Sequence, residues 1–205
     1  MAKVLLYTSI PRIFRTTLIG YLHEISQVYP VVLLSEKLDE QSKKALCDKS
    51  LFPKLEEIIS VSQYKGAHGN IFLQNRSLAK KAKEVVKKYN PDVVITANDV
   101  FPFELYLQRA AKRIGAVTMC FQGGYRTAGK QEVKAWAERV LGNSTFKKVK
   151  KHLGYLAYYW FLPLFAGELP FRGKSSFIRL EDDTGFRADW SVVFSKRDYE
   201  ICVQD

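Results

Sequence analysis

Residues 91–124 read PDVVITANDVFPFELYLQRAAKRIGAVTMCFQGG. Pro91 and Asp92 introduce a short aliphatic run, Val93 to Thr96, that is apolar on both parities. A strand of that kind is covered by helices on both faces, the condition of a parallel sheet. Pro102 to Ile114 supplies a helix, which Gly115 closes in the C-cap position, and Val117 to Phe121 is a second apolar run. Strand, helix and strand joined by short loops are the signature of a doubly wound α/β domain.

The same alternation extends outward. Val4 to Tyr7, Val31 to Leu34, Glu57 to Val61 and Ser191 to Phe194 read as further strands, giving a mainly parallel sheet of about six with helices on both faces. Between them the sequence predicts helices at Thr16 to Val28, Leu38 to Cys47 and Ser77 to Tyr89. The last carries Leu78, Ala82, Val85, Val86 and Tyr89 on one stripe, and its lysines read as a solvated face. Asn90 and Pro91 stop it. The regularity fails between Phe121 and Ser191, where about residues 129–175 read as a helical insert. The insert begins with a basic amphipathic stretch, Lys130 to Lys151, and continues into LGYLAYYWFLPLFAGELPF, Leu153 to Phe171. That segment has the length of a spanning helix but is broken by Gly154, Pro163 and Gly167 and carries one charge, Glu168.

A chain of 205 residues with 47% hydrophobic and 26% charged content fits one domain with a continuous core. Its net charge of +11 favours anionic partners: nucleotides, phospholipid headgroups, glycan phosphates or nucleic acid. Cys47, Cys120 and Cys202 are widely spaced and odd in number, which points to a reducing cytosol and away from structural zinc. No secretion signal is expected at Met1, since the start runs directly into the first strand. No GxGxxG and no GxxxxGK[ST] occurs, which counts against dehydrogenases and P-loop ATPases.

In open α/β sheets the ligand crevice lies outside the carboxyl ends of the strands, so four loops are candidates. The first, from Thr8 to Thr17, holds Ser9, Arg12, Arg15 and Thr16, which suit an anion or merely cap a helix. The loop after the third strand exposes His68 between glycines, as a base, a phosphate ligand or a plain surface residue. After Thr96 come Asn98, Asp99 and Glu104, two carboxylates where a substrate hydroxyl can meet them, although Asp99 also suits an N-cap. After Phe121 come Gln122, Gly123, Gly124 and Arg126, in which Gln122 suits sugar hydroxyls and the glycines suit either a close backbone approach or a tight turn.

Pro91 to Gly124 resembles the fourth and fifth strand units of the GT-B glycosyltransferases and the related UDP-N-acetylglucosamine 2-epimerases. Those proteins have a Pro-Asp-aliphatic strand, an acidic or glycine-containing loop, an amphipathic helix, and a strand ending in a Gln- or His-Gly loop. KVLLYTS at Lys3 to Ser9 and DWSVVFSKRDYE at Asp189 to Glu200 also stand where that family has them. The resemblance implies that residues 1–205 form the acceptor-side half, with the nucleotide sugar bound mostly by a second domain expected outside this chain. It further implies transfer without metal or cofactor, Asp99 or His68 removing the acceptor proton, and Arg12, Arg15, Gln122 and Arg126 contacting sugar or phosphate. A 2-epimerase half fits the same pattern.

Basic residues beside an aromatic, Pro- and Gly-broken segment are what an interfacial element needs. Lys147, Lys148, Lys151, Tyr158, Trp160 and Phe161 are accordingly expected at an anionic membrane, on the inner face of the cytoplasmic membrane beside a glycan or lipid-linked acceptor. The competing expectations are an insert packed onto the domain and a non-enzymatic docking module. Nucleic acid is not the expected partner, because the aromatics form one apolar block and do not interleave with basic residues along a groove.

Overall fold

The structure, a computed structural model, describes residues 1–8, 18–35, 38, 40–61, 70–97, 102–121, 149, 153–154, 157–169 and 188–192. Within these the chain runs β1 (Val4–Thr8), α1 (Ile19–Val28), β2 (Val31–Ser35), α2 (Glu40–Leu46), β3 (Leu55–Ser60), α3 (Ile71–Tyr89), β4 (Val93–Thr96), α4 (Pro102–Arg113) and β5 (Val117–Phe121). A π-helical turn (Ala157–Phe161), α5 (Leu162–Phe165) and β6 (Trp190–Val192) follow.

The strands form one parallel sheet in the order β3-β2-β1-β4-β5-β6. Strand order reverses between β1 and β4. In a doubly wound sheet that reversal moves the crossover helices from one face to the other and opens a crevice above it. The two buried clusters record the switch. Val4, Leu6, Leu33, Ile95 and Phe121 pack with Leu18 and Leu22 of the α1 side. Leu5, Tyr7, Val32, Leu34 and Val94 pack with Ala82 and Val86 of α3 and with Leu107 and Ala111 of α4. Successive residues of each central strand therefore serve opposite layers, which is why these strands are apolar on both parities.

Edge strand β3 departs from that pattern. Glu56 and Glu57 are exposed, the first paired with Lys3 at 2.9 Å and the second accepting a hydrogen bond from Tyr89 Oη at 2.6 Å. A groove of about 370 Å³ lies beside Glu57, between β3 and the last turns of α3.

Helix α3 begins at Ile71, earlier than the Ser77 expected from its lysine-rich half. Asn70 caps it, its side-chain oxygen accepting from the amides of Phe72 at 2.9 Å and Leu73 at 3.4 Å. At the other end Asn90 takes the left-handed conformation, φ 42°, and its amide bonds to Val86 O. Gly115, φ 78°, closes α4 in the position the sequence assigns to it.

Strand β6 returns after the insert and is secured by a reciprocal contact. Asp189 Oδ2 accepts from the Thr118 amide and hydroxyl, both at 2.8 Å, and Thr118 Oγ1 accepts from the Asp189 amide at 3.0 Å. Lys112 from α4 pairs with the other carboxylate oxygen at 2.9 Å. Burial alone would raise the Asp189 carboxyl, but the Lys112 and Thr118 contacts hold it below its ordinary value.

Candidate functional site

Each of the first four strands ends in a Ser or Thr: Thr8, Ser35, Ser60 and Thr96. Register puts Thr8 opposite Ser35 and Ser35 opposite Ser60, while Thr96 lies opposite Tyr7, one residue lower. Thr8, Ser35 and Thr96 are buried, and Ser35 Oγ has no hydrogen-bond partner among the described residues. Buried polar groups are as a rule hydrogen-bonded, so the Ser35 hydroxyl, unpartnered among the described residues, is a group free to meet a partner at this end of the sheet. The sequence reading ended these strands at Tyr7, Leu34, Val61 and Thr96. The recurring terminal Ser or Thr was the available signal, and it was missed.

Behind Thr96, on the α4 side, the floor is also polar. Gln108 Nε2 donates to Thr96 Oγ1 at 2.7 Å, and Gln108 Oε1 has no partner among the described residues. Glu104 lies one turn nearer the start of α4 on the same face, since residues four apart stack along a helix, and Gln108 and Glu104 both have no exposed surface. The ring of Phe103 meets Tyr7 edge-on at 4.9 Å between centroids. Thus an apolar core gives way, at the carboxyl end of the switch-point strands, to hydroxyl, amide and carboxylate groups.

The loops that leave this floor lie outside the described residues. They include Ser9, Arg12, Arg15, Thr16, His68, Asn98, Asp99, Gln122, Gly123, Gly124 and Arg126. Strand order fixes where each loop departs. Those after β1, β4 and β5 leave neighbouring strands, whereas the loop with His68 leaves β3, three strands from β4. At about 4.8 Å per strand that is roughly 14 Å away. Glu104 differs from the expectation of an open carboxylate. It is enclosed in the first turn of α4, because that face of the helix packs onto the sheet.

The insert shows a feature that the sequence concealed. Glu168, read as the lone charge of an apolar run, is buried and surrounded by cations: Lys83 at 2.6 Å, Arg113 at 2.8 Å and Arg109 at 3.3 Å. Burial acts to raise its carboxyl, yet the hydrogen bonds from Arg113 and Lys83 prevail and keep it below the ordinary value. Burial lowers the Arg109 guanidinium, and Glu168 opposes that shift. This carboxylate ties residues 157–169 to α3 and α4.

Trp160, expected at a membrane, is half buried and packs against the core cluster of α3 and α4, its Nε1 buried without a partner among the described residues. Phe161, the next residue, is exposed. Lys147, Lys148 and Lys151 lie outside the described residues, as does the side chain of Tyr158. Among the described residues no helix is long and apolar enough to cross a membrane, and no cluster of three or more His, Cys, Asp or Glu could hold a metal ion.

Strand order and the two-sided core define a doubly wound, Rossmann-like α/β domain, and its β1/β4 switch point is the place where sheets of this class open their ligand crevice. No protein-family model matches the chain, and no curated protein matches it. Its structural neighbours are UDP-N-acetylglucosamine 2-epimerases, MurG and glycosyltransferases. The epimerase of Neisseria meningitidis, solved with UDP-GlcNAc bound, is 13% identical over 75% of this chain and 38% of its own, with a TM-score of 0.44. MurG of Acinetobacter baumannii is 14% identical over 59% and 35%, TM-score 0.43, and a glycosyltransferase of Rickettsia africae 19% over 74% and 38%, TM-score 0.43. The chain spans little more than a third of the length of these structures.

Proposed function

We propose that this chain is the acceptor-binding half of a glycosyltransferase that moves a sugar from a nucleotide-sugar donor to a glycan or lipid-linked acceptor in surface polysaccharide synthesis. In this reading it works peripherally on the inner face of the cytoplasmic membrane. The observation that carries the proposal is the set of buried hydroxyls Thr8, Ser35 and Thr96 at the carboxyl ends of β1, β2 and β4, with Gln108 behind Thr96, at the end of the sheet from which the segments with Arg12, Arg15, Asn98 and Asp99 depart. The similarity of residues 91–124 to the GT-B pattern supports it.

Asp99 is the proposed base, because its loop leaves β4 at the reversal while the loop of His68 leaves the sheet edge. It would take the proton of the acceptor hydroxyl as the sugar leaves its diphosphate, which a second domain grips. Gln122 and Arg126 would contact sugar or phosphate from the loop after β5. No cofactor has a role in this scheme.

Calorimetry on the 205-residue chain, alone and joined with a nucleotide-sugar-binding partner domain, tests the reading. The chain alone should bind a glycan or polyprenyl-linked acceptor. UDP-, GDP-, CMP- or CDP-sugars should bind only with the partner present. Binding of neither class overturns the reading, and turnover of a UDP-sugar to its 2-epimer without any acceptor replaces it with the epimerase alternative.

A further inference from the structure

The first turn of α3 presents Ile71, Phe72 and Leu73 to solvent, and the insert presents Phe161, Leu164 and Phe165; each is between 43% and 61% exposed. The two sets are one surface, for the Phe72 and Phe165 rings meet edge-on at 4.7 Å. Phe161, Leu164 and Phe165 are spaced as neighbours on one side of a helix. A contiguous apolar surface of this kind marks an interaction site. The insert cannot fold away to cover it, because buried Glu168 pins residues 157–169 to Lys83, Arg109 and Arg113.

The charge beside the patch selects its occupant. From Phe72 the exposed stripe of α3 continues through Arg76, Lys80 and Lys87, all within about one quadrant of the helix at its 100° step per residue, while Lys83 on the same stripe is committed to Glu168. Glu84 is the single acidic residue of that helix. In sequence, Lys147, Lys148, Lys150 and Lys151 come just before the apolar segment. An apolar tip grading into a cationic stripe suits a surface that is apolar inside and anionic outside, with rings entering the acyl boundary and lysines staying among headgroup phosphates.

We infer that this face is a seat for an anionic lipid bilayer, formed jointly by the first turn of α3 and residues 161–165 of the insert. The inference deepens the membrane part of the proposed function. It places the contact on Ile71 to Leu73 as well as the insert, and it excludes Trp160, which serves the core. It also sets an orientation. Helix α3 starts just after the loop leaving the carboxyl end of β3, so the apolar tip stands at the rim where the candidate site opens. A bilayer seated there lies beside the crevice and can deliver an acceptor whose lipid end remains in the membrane.

The test is sedimentation of the full chain with vesicles of phosphatidylcholine, with and without phosphatidylglycerol, using Phe72→Ser/Phe165→Ser against the control Val28→Ser. Val28 is as exposed as these rings but stands at the end of α1, at the opposite rim of the sheet. The wild-type chain should sediment with the phosphatidylglycerol vesicles, less so as salt rises, and weakly with phosphatidylcholine alone. The double variant should lose about tenfold per ring in partitioning, with the control unchanged. Should the double variant lose its cooperative melting, Leu164→Ser carries the same expectation for one side chain. The seat is refuted by a wild-type chain left in the supernatant, by a double variant that sediments like wild type, or by vesicle-free self-association that the double variant abolishes. No sugar enters the assay, so its failure leaves the transferase reading to be judged by the calorimetry.

Discussion

At the residue scale, Glu168 contributes most where the sequence said least. Glu168→Gln leaves Arg109 buried beside Lys83 and Arg113 without their common anion, and breaking a buried pair from one side costs about 3 kcal/mol. Urea denaturation should show that loss. Its pH dependence has a definite sign. The folded carboxyl sits below its ordinary value, so its contribution is complete above the unfolded range, shrinks as pH falls through it, and vanishes below the folded value. Wild type and Glu168→Gln should therefore differ at neutral pH and converge in acid; a constant gap between them would mean that the ion cluster is not the source of the stability. Asn70→Ala removes the cap of α3 and should cost about 1 kcal/mol in the same assay. Neither role was legible. Asn70 ended a glycine-containing loop, and the partners of Glu168 stand 55 or more positions away along the chain.

At the scale of elements, strands read well and boundaries less well. The run from Val117 to Phe121 was found whole, because a strand buried on both faces must be apolar throughout. Helix α3 was cut short, since Ile71, Phe72 and Leu73 are exposed and break the stripe that Ala79, Ala82 and Val86 obey. Periodicity reports packing against a core, and a turn that projects beyond the core carries none. Strand β6 depends on the Asp189–Thr118 pair. Asp189→Ala should speed hydrogen exchange at residues 190–192 while amides of β1 and β2 keep their protection, and equal protection throughout would show that β6 needs no such anchor.

For the whole molecule, the test of the proposed transferase reading is Asp99→Asn in the chain joined with a nucleotide-sugar-binding partner domain. Turnover should be lost while acceptor binding persists, and retained turnover would move the base elsewhere. The sequence by itself determined the doubly wound class, the parallel sheet and the rim from which the candidate loops depart. Those follow from apolar runs and helical stripes, which are local consequences of burial. Tertiary structure alone decided which hydroxyls form the floor, that Glu104 is enclosed, that Trp160 turns inward and Phe161 outward, and that two apolar turns distant in sequence make one surface. Each of these depends on what lies across a gap in space. A side chain's local pattern states only whether it is buried, and its partner is chosen when the crossovers bring far parts of the chain together.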